Sequence, residues 1–418
     1  MMSDLGTARG RGDGCNIAHE NYAREVLELF TSGVDNGYDQ NDITIMSRAW
    51  TGWTINLVDP ANAANPFITN YVFNASSTVV SNLPGIWSFS YMASNHNNSA
   101  KTIFPSKFVP ARFGFPWAGT AYQLVLPIRS SLNGGVNVGT NGMADGYDVI
   151  AHLAKQPFAM EFISVKLCRL FVHDDFVHGV YDYTSPNLSP EAKLVHDCML
   201  AWENATPKGN LRTVMRTIFN SDLFRSHGAA AQKVKTPLEF MASTIRALRS
   251  VDANGFATAD TDGNFATALN RMGSMLLFDR AEPNGYPETA PGWVSAGTLA
   301  ERLRFVQSVL MSSNLTQSID PGTGFMSDPV RLLKRKLPSN QWDVASNVVD
   351  LFLFYLYPGE GRANLEVYKT VAMNFLNTAD DGVTSSAFSG LGNTSGNYDS
   401  RVRGMVAMLL TLPRFQEQ

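Results

Sequence analysis

Apolar residues recur at intervals of three and four positions along most of the chain, and this spacing predicts a mainly α fold. The first such segment is 21–31, which is followed by Gly33, a residue type that commonly ends helices. Asp42 is a favourable cap for the next helix, which runs through Trp50. The positions expected to face inward in the first helix are Tyr22, Val26, Leu29 and Phe30.

Residue types that favour helix starts mark further boundaries. The segment 236–239 has a capping threonine, a proline in the first turn and a glutamate three residues on, and these predict a capping box. Ser189, Asn210 and Asp328 are further candidate caps. The last helix is predicted at 400–412. Helical spacing gives two more inward faces: Leu299, Leu303, Val306 and Leu310, and Val402, Met405, Leu409 and Leu410.

Two segments lack a sustained helical period. Residues 54–141 are rich in Asn, Ser, Pro, Gly and aromatic residues, which predicts an irregular, slightly β insertion with strands at 71–73 and 87–91. Residues 377–400 are rich in Gly, Ser, Thr and Asn, which predicts a flexible surface loop. The fold predicted for 1–418 is therefore one large helical domain that carries this insertion and this loop.

Three tryptophans stand at predicted helix ends. Trp50 and Trp53 flank Gly52, and Trp293 follows Gly292. A large side chain beside a glycine can cover a helix end, so we expect these tryptophans to be buried anchors rather than platforms for a ligand.

Charge and hydropathy exclude some classes of function. The chain has 33 basic and 37 acidic residues, so nothing indicates a basic nucleic-acid surface. The longest apolar stretches, such as 348–357, are far shorter than the ~20 residues that a membrane-spanning helix needs. Residues 1–14 contain no apolar segment typical of a signal peptide. We therefore predict no nucleic-acid partner and no membrane span.

No metal and no cofactor is predicted. The three cysteines form no Cys-X-X-Cys pair; Cys168 and Cys198 are predicted to be buried thiols, and a disulfide between them is left open. His173 and His178 stand five positions apart, so their rings would diverge on a helix, and a solvated helix end is predicted. Residues 260–264 have part of a calcium-loop pattern but lack its other ligands, so a turn is predicted.

Six polar residues form the candidate site. Glu25 and Glu28 project from one side of the first helix beside Arg24, and two carboxylates held close together can perform acid–base chemistry. The alternative is an ion pair with Arg24 or Arg48 at a surface or between helices. His96 lies in a loop, where it could act as a base or be a hydrogen-bonded structural residue. The candidate cluster is Arg24, Glu25, Glu28, Arg48, His96 and Lys101.

Blocks along nearly the whole chain resemble one family. Residues 21–33 are similar to the family pattern NYARELLELxTLG, 38–42 to YTxxDV, and 48–53 to ARxxTGW. Further similar blocks follow in the family's order: 96–101, 146–171, 233–240, 283–302 and 410–416. These blocks resemble the domain of unknown function 1800 family, a group of exported bacterial proteins. Asn97 stands where that family usually has an acidic residue.

The resemblance implies export to the periplasm or cell surface, and often a co-encoded partner with an alkaline-phosphatase-like fold. It implies no established catalytic residues. The family's blocks before Asn21 are missing apart from a remnant at 1–5, so we expect the chain to begin inside the family domain, truncated at its N-terminus. The expected function is non-catalytic, in surface assembly or as partner of the co-encoded protein. The alternative is a hydrolase whose Glu/His site joins the 21–31 helix to the His96 loop. The sequence does not indicate an oligomeric state.

Overall fold

Helices account for most of the residues that the computed structural model describes. These residues are 8–9, 16–17, 19–58, 86–91, 95–129, 132–133, 136–137, 141–226, 233–248, 266–276, 279–311 and 328–417. The mainly α fold is confirmed. Cys15, the strand predicted at 71–73 and the turn predicted at 260–264 lie outside the described residues.

The α-helices of the described residues are numbered in chain order. They are α1 (Glu20–Glu25), α2 (Gln40–Ser47), α3 (Met143–Leu153), α4 (Pro157–Phe171), α5 (Pro190–Glu203), α6 (Leu211–Asn220), α7 (Asp222–Arg225), α8 (Pro237–Ala247), α9 (Ala266–Arg271), α10 (Ala296–Met311), α11 (Pro329–Lys336), α12 (Ala345–Leu356), α13 (Arg362–Leu376) and α14 (Gly396–Thr411). Among these helices, none is long and apolar enough to span a bilayer.

Chain contacts divide the molecule into two compact units. Unit 1 comprises Met1–Phe171 and Asp175–Arg225, and unit 2 comprises Val172–Asp174 and Ser226–Gln418. That the chain folds as a single domain stays a prediction, since a division by contacts does not test whether either unit folds alone.

The strands of the described residues form two-stranded antiparallel sheets, all in unit 1. They are β1 (Ala8–Arg9) with β2 (Asn16–Ile17), β3 (Trp53–Val58) with β4 (Ile86–Tyr91), β5 (Lys101–Ile103) with β6 (Leu124–Leu126), and β7 (Leu132–Asn133) with β8 (Val136–Asn137). β4 contains the strand predicted at 87–91. The described part of 54–141 thus has the predicted character, with short strands separated by loops.

The inward face predicted for the first helix is wrong in its phase. α1 continues into a π-helix, Val26–Thr31, whose turns hold more residues than α-helical turns. Ala23 and Leu27 are fully buried in this segment, whereas Phe30 is 60% exposed. The burial of Ala23 in place of Tyr22 is a shift that is already present in α1, whereas Phe30 follows the change of period at Val26, where spacing based on a regular α-helix no longer applies.

Asp39, not Asp42, caps α2. The carboxylate of Asp39 accepts hydrogen bonds from the backbone N–H groups of Asn41 and Asp42, at 2.9 and 3.1 Å. Asp42 completes a capping box by accepting from the N–H of Asp39 at 3.0 Å. Assigning the cap to Asp42 is therefore wrong by three residues. Side-chain hydrogen bonds confirm the other predicted caps, which are Ser189, Asn210, Thr236 and Asp328.

The predicted burial of the three tryptophans is confirmed. Trp50, Trp53 and Trp293 are 1%, 7% and 2% exposed. The indole N–H of Trp293 donates to the carbonyl of Pro287 at 2.9 Å. Trp50 and Trp53 pack against α3, where a Cβ added at Gly146 would lie 2.8 Å from the first ring and 2.4 Å from the second. Glycine at this position lets the start of α3 reach the tryptophan pair.

Unit 2 has its core around α14, which begins at Gly396, before the start predicted at 400. The inward residues predicted for this helix are all fully buried: Val402, Met405, Leu409 and Leu410. On α10, Val306 and Leu310 are also fully buried, but Leu299 and Leu303 are 38% and 45% exposed. The core therefore covers only the second half of the face predicted for α10.

The segment 377–400 holds local contacts of its own. Thr378 and Ser385 pair across an isolated β-bridge. The N–H of Phe388, whose ring is fully buried, donates to the side-chain oxygen of Asn377 at 3.1 Å. The flexibility of this loop stays a prediction, and the last residues of the segment belong to α14.

Candidate functional site

Asp145 is the centre of a buried charge cluster in unit 1. It lies in the first turn of α3, the helix that packs on the tryptophan pair. Its Oδ2 accepts a hydrogen bond from Nζ of Lys101 at 2.7 Å, and its Oδ1 accepts one from Nε of Arg129, also at 2.7 Å. Arg129 makes a second ion pair with Asp148. The cluster therefore joins β5, the chain after β6 and α3.

His96 is held at both sides of its ring. Its Nδ1 faces the carbonyl of Thr51 at 2.8 Å and must be the donor, since a carbonyl oxygen only accepts. Its Nε2 lies 3.4 Å from Oδ2 of Asp145. A Cβ added at Gly142 would lie 2.2 Å from the ring, so a larger residue there would displace it. The ring links the loop at Thr51 to the start of α3.

Lys101 uses all three of its ammonium donors inside the protein. Besides Asp145, Nζ donates to the carbonyls of Asn97 at 2.6 Å and Ser99 at 3.0 Å. The side chain of Lys101 is 1% exposed, and those of His96 and Asp145 are 0% exposed. The side chains of His96, Lys101 and Asp145 are therefore closed off from solvent.

Burial and hydrogen bonding act against each other in this cluster. Burial alone would raise the pKa of Asp145, but its interactions with His96, Lys101 and Arg129 together outweigh burial and lower it. Burial lowers the pKa of Lys101; Asp145 opposes this, and the cations Arg129 and Arg48 add to the lowering. The carboxylate is thus held in its ionised form, as a counter-ion needs to be.

Asn97 has a structural part in this loop. Its side-chain oxygen accepts hydrogen bonds from the backbone N–H of Ser99 at 3.1 Å and from the Ser99 hydroxyl at 2.6 Å. Its own N–H donates to Oγ1 of Thr51 at 2.7 Å. Aspartate and asparagine both form such turns, so an amide here is compatible with the loop seen in this chain.

The other four candidate residues make separate contacts. Nη1 of Arg24 lies 3.2 Å from Oε1 of Glu28, and both side chains are partly exposed. Burial, followed by repulsion from Glu28, raises the pKa of Glu25. Arg48 is exposed. Its charge helps to lower the pKa of Lys101, which is another of the candidate residues. The described contacts of Glu25 and Glu28 include neither His96 nor Lys101. The described contacts therefore do not join the two halves of the predicted Glu/His site.

Two further buried carboxylates of unit 1 are also matched by cations. Glu161 accepts a bidentate pair of hydrogen bonds from Arg112, both at 2.8 Å, and another from the hydroxyl of Tyr183 at 2.8 Å. Asp42 pairs with Lys107 and accepts from the N–H of Phe104 at 2.9 Å. A buried carboxylate paired with a lysine or arginine is thus a repeated structural feature of this unit.

The described residues contain no group of three or more His, Cys, Asp or Glu side chains placed to hold a metal ion. His173 is 4% exposed, so the prediction that it lies at a solvated helix end is wrong. Within unit 2, Asp174 pairs with Lys233 at 3.2 Å and accepts from the N–H of Ala290 at 2.6 Å. Within unit 1, the ring of His178 packs edge-on against Phe162.

Cys168 on α4 and Cys198 on α5 are buried free thiols, as predicted. The contact between the two thiols, with burial, raises the pKa of Cys168. A raised pKa disfavours the thiolate, which is the nucleophilic form of cysteine. A nucleophilic role for Cys168 therefore has no support.

A family model described as a protein of unknown function, DUF1800, matches residues 5–417. The chain belongs to the DUF1800 family. Comparisons with curated proteins and with solved structures give no match. Membership of DUF1800 assigns no activity to the Asp145 cluster, whose role must be argued from its own geometry.

Three of the blocks that resemble DUF1800 patterns meet in unit 2. Arg302, from the block 283–302, donates through Nη1 to the side-chain oxygen of Gln416 at 3.0 Å and through Nη2 to the carbonyl of Lys235 at 2.6 Å. Nζ of Lys235 donates to the carbonyl of Phe415 at 2.6 Å. Burial, with repulsion from Arg302, lowers the pKa of Lys235 to about 8. A buried cation, Arg302, and a partly buried one, Lys235, therefore lie side by side at this junction.

The sequence pattern does not single out Asp145 or Arg129. Asp145 is 44 positions from Lys101, beyond the range of any helical or strand spacing. One signal is present, because Gly142 and Gly146 bracket Asp145 at the start of a helix. Small residues four apart favour close packing, so a carboxylate between them is expected to be buried and to need a cation.

Proposed function

We propose that this chain is a non-catalytic exported protein that acts through contacts with other proteins, in surface assembly or as the partner of a co-encoded protein with an alkaline-phosphatase-like fold. The observation that carries the non-catalytic part is the closure of the His96, Lys101 and Asp145 side chains, none of which is more than 1% exposed. Export and the co-encoded partner rest on the resemblance to DUF1800.

A general base must lie within hydrogen-bond reach of the proton that it removes. Nδ1 of His96 is engaged by Thr51, its Nε2 faces Asp145, and the donors of Lys101 are all used. Reaching a substrate would require the start of α3 to move away from the loop 96–101. The hydrolase alternative therefore has less support than a role in binding.

The exposed apolar side chains of unit 1 support a role in contacts. Within residues 104–128, Phe108, Phe115, Val125 and Ile128 are 61%, 92%, 58% and 67% exposed. Large apolar side chains in water are unfavourable, and groups of them commonly mark interaction surfaces. This stretch belongs to the aromatic-rich insertion predicted at 54–141.

The test is sedimentation velocity of the purified chain mixed with the protein encoded beside it. A faster-sedimenting complex is expected, weakened by Phe115→Ser and Phe108→Ser. The matched control is Val383→Ser, which removes a side chain that is 86% exposed in unit 2 and should leave the complex unchanged. Independent sedimentation of the two proteins would refute the partner proposal.

The non-catalytic part has its own test. The wild-type chain and its His96→Gln variant are assayed against ester, phosphodiester and peptide substrates, with folding checked by circular dichroism. We expect no turnover that depends on His96. Turnover by the wild type that a folded His96→Gln variant lacks would favour the hydrolase alternative.

A further inference from the structure

Cys168 and Cys198 meet between two neighbouring helices of unit 1. Cys168 is in the last turn of α4, and Cys198 is in the second half of α5. These helices pack side by side, with Cα atoms of one within 8 Å of Cα atoms of the other. The thiol of Cys168 is hydrogen-bonded to that of Cys198. Two of the three cysteines of the chain are therefore in contact, although a long stretch of sequence separates them.

Small side chains line this side of α4. Ser164 stands four positions before Cys168, so the two residues share a face of the helix. Ser164, Cys168 and Cys198 are all fully buried. A disulfide needs its two Cα atoms to be about 4.4–6.8 Å apart, and small side chains between two helices allow their backbones to come that close. The packing of α4 against α5 therefore suits a covalent link between the two sulfur atoms.

The chain that connects the two cysteines gives such a link a structural effect. Residues 172–189, which join α4 to α5, form no helix or strand. A disulfide between Cys168 and Cys198 would close this irregular connection into a loop at its two helical ends. Closing a loop restricts the unfolded chain more than the folded one, and this stabilises the folded state.

We propose that Cys168 and Cys198 form a structural disulfide that joins α4 to α5 when the chain folds in the presence of a disulfide oxidant. The thiolate of one cysteine attacks the oxidant, which releases one thiol and leaves a mixed disulfide. The thiolate of the other cysteine attacks that mixed disulfide and releases the second thiol. The oxidant is reduced, and the two protons lost by the cysteines end on the two released thiols.

Burial sets the time at which this exchange takes place. Both sulfur atoms are closed off from solvent in the folded chain, so the oxidant must react before α4 and α5 have packed together. The same burial then protects the finished disulfide from reductants. Disulfides form and persist in exported proteins. Formation of this disulfide in the cell therefore rests on the proposed export, whereas the pairing of the two thiols does not.

The test is mass spectrometry of the full chain with Cys15→Ser, so that Cys168 and Cys198 are its remaining thiols. The chain is refolded with a mixture of oxidised and reduced glutathione, then unfolded in iodoacetamide to alkylate every free thiol. We expect no alkylation, a mass lower by two hydrogen atoms than that of the reduced chain, and a linked peptide pair on digestion without reductant. Alkylation of both cysteines in the refolded chain would overturn the proposal.

Thermal unfolding followed by circular dichroism tests the structural effect. The oxidised chain should melt about 5 °C or more above the reduced chain. Cys168→Ala and Cys198→Ala, each made in the Cys15→Ser chain, are the matched controls. Each keeps one thiol of the pair, so the oxidant should leave its melting temperature unchanged. Equal melting temperatures of the oxidised and reduced chains with both cysteines would overturn the stabilising role.

A last arm separates this proposal from the proposed export. The same alkylation is applied to the chain isolated from the cells that naturally produce it. A disulfide in the refolded chain with free thiols in the cellular chain would count against export and leave the pairing supported. Free thiols in both would overturn the pairing. If the denatured chain does not refold, expression with a periplasmic signal sequence takes its place, and free thiols in that product would overturn the proposal.

Discussion

Replacing Asp145 by asparagine tests whether the buried cluster stabilises unit 1. The change keeps the size of the side chain and removes its charge, so Lys101 loses its only described carboxylate while remaining buried. Arg129 keeps Asp148 and is 21% exposed, so it contributes less to the loss. Removing one member of a buried ion pair costs about 3–5 kcal/mol, and we expect Asp145→Asn near the lower end of that range.

A double-mutant cycle with Lys101→Met measures the interaction itself. Lys101→Met leaves Asp145 paired with Arg129, so we expect a smaller loss of about 1.5–3 kcal/mol. In the double variant neither buried partner is left unpaired, so the two losses should not add, and a coupling energy of about 2 kcal/mol is expected. The free energies of unfolding come from urea denaturation followed by tryptophan fluorescence and circular dichroism.

The matched control is the same cycle on the partly exposed pair of Arg24 and Glu28, whose coupling should be about 0.5 kcal/mol or less. The reasoning fails if Asp145→Asn costs no more than Glu28→Gln, or if the two cycles give equal coupling. The pH dependence is a second check. Because the pKa of Asp145 is lowered in the folded protein, its contribution is full above about pH 4 and is lost as the pH falls through the folded-state pKa.

Three further predictions concern packing and metal content. Gly146→Ala should lower the melting temperature despite the better helix propensity of alanine, because its Cβ would meet two tryptophan rings, whereas Gly396→Ala, which meets no atom within 4 Å, should not. Trp53→Ala should cost about 3–5 kcal/mol in urea denaturation, and a change near zero would refute its role as an anchor. Elemental analysis of chain purified without chelator should find no stoichiometric zinc or calcium; one equivalent that survives dialysis would contradict this.

Local signals in the sequence predict local structure well. The threonine and glutamate of the capping box at 236–239 satisfy each other's backbone over three residues, so their neighbours along the chain are sufficient to identify them. The inward face of α14 is equally regular, and its predicted core positions are buried. The choice between Asp39 and Asp42 fails because both residue types fit the local rule. The hydrogen bonds that Asp39 accepts from the N–H groups of Asn41 and Asp42 distinguish them, and Asp42 instead accepts from the distant N–H of Phe104.

The candidate site depends on information that local patterns do not contain. His96 and Lys101 are recognisable as polar residues of a loop, but their burial follows from Asp145, which lies on a helix far along the chain. The prediction that Glu25 and Glu28 share a site with His96 gains no support from the described contacts, for a related reason. Spacing places both carboxylates on one face of the helix but does not say which residues pack against that face. The π-helix that begins at Val26 adds a change of phase that helical periodicity does not predict.

Chemical modification of the histidines tests most directly the claim that the His96 cluster is a closed structural network. The folded chain is treated with diethyl pyrocarbonate, which acylates accessible imidazoles, and each histidine is followed by mass spectrometry. His178 and His196 are partly exposed and should react first, while His96 should react only when the chain unfolds. Early acylation of His96 in the folded protein would contradict the account, because a ring that a reagent can reach is also open to a substrate.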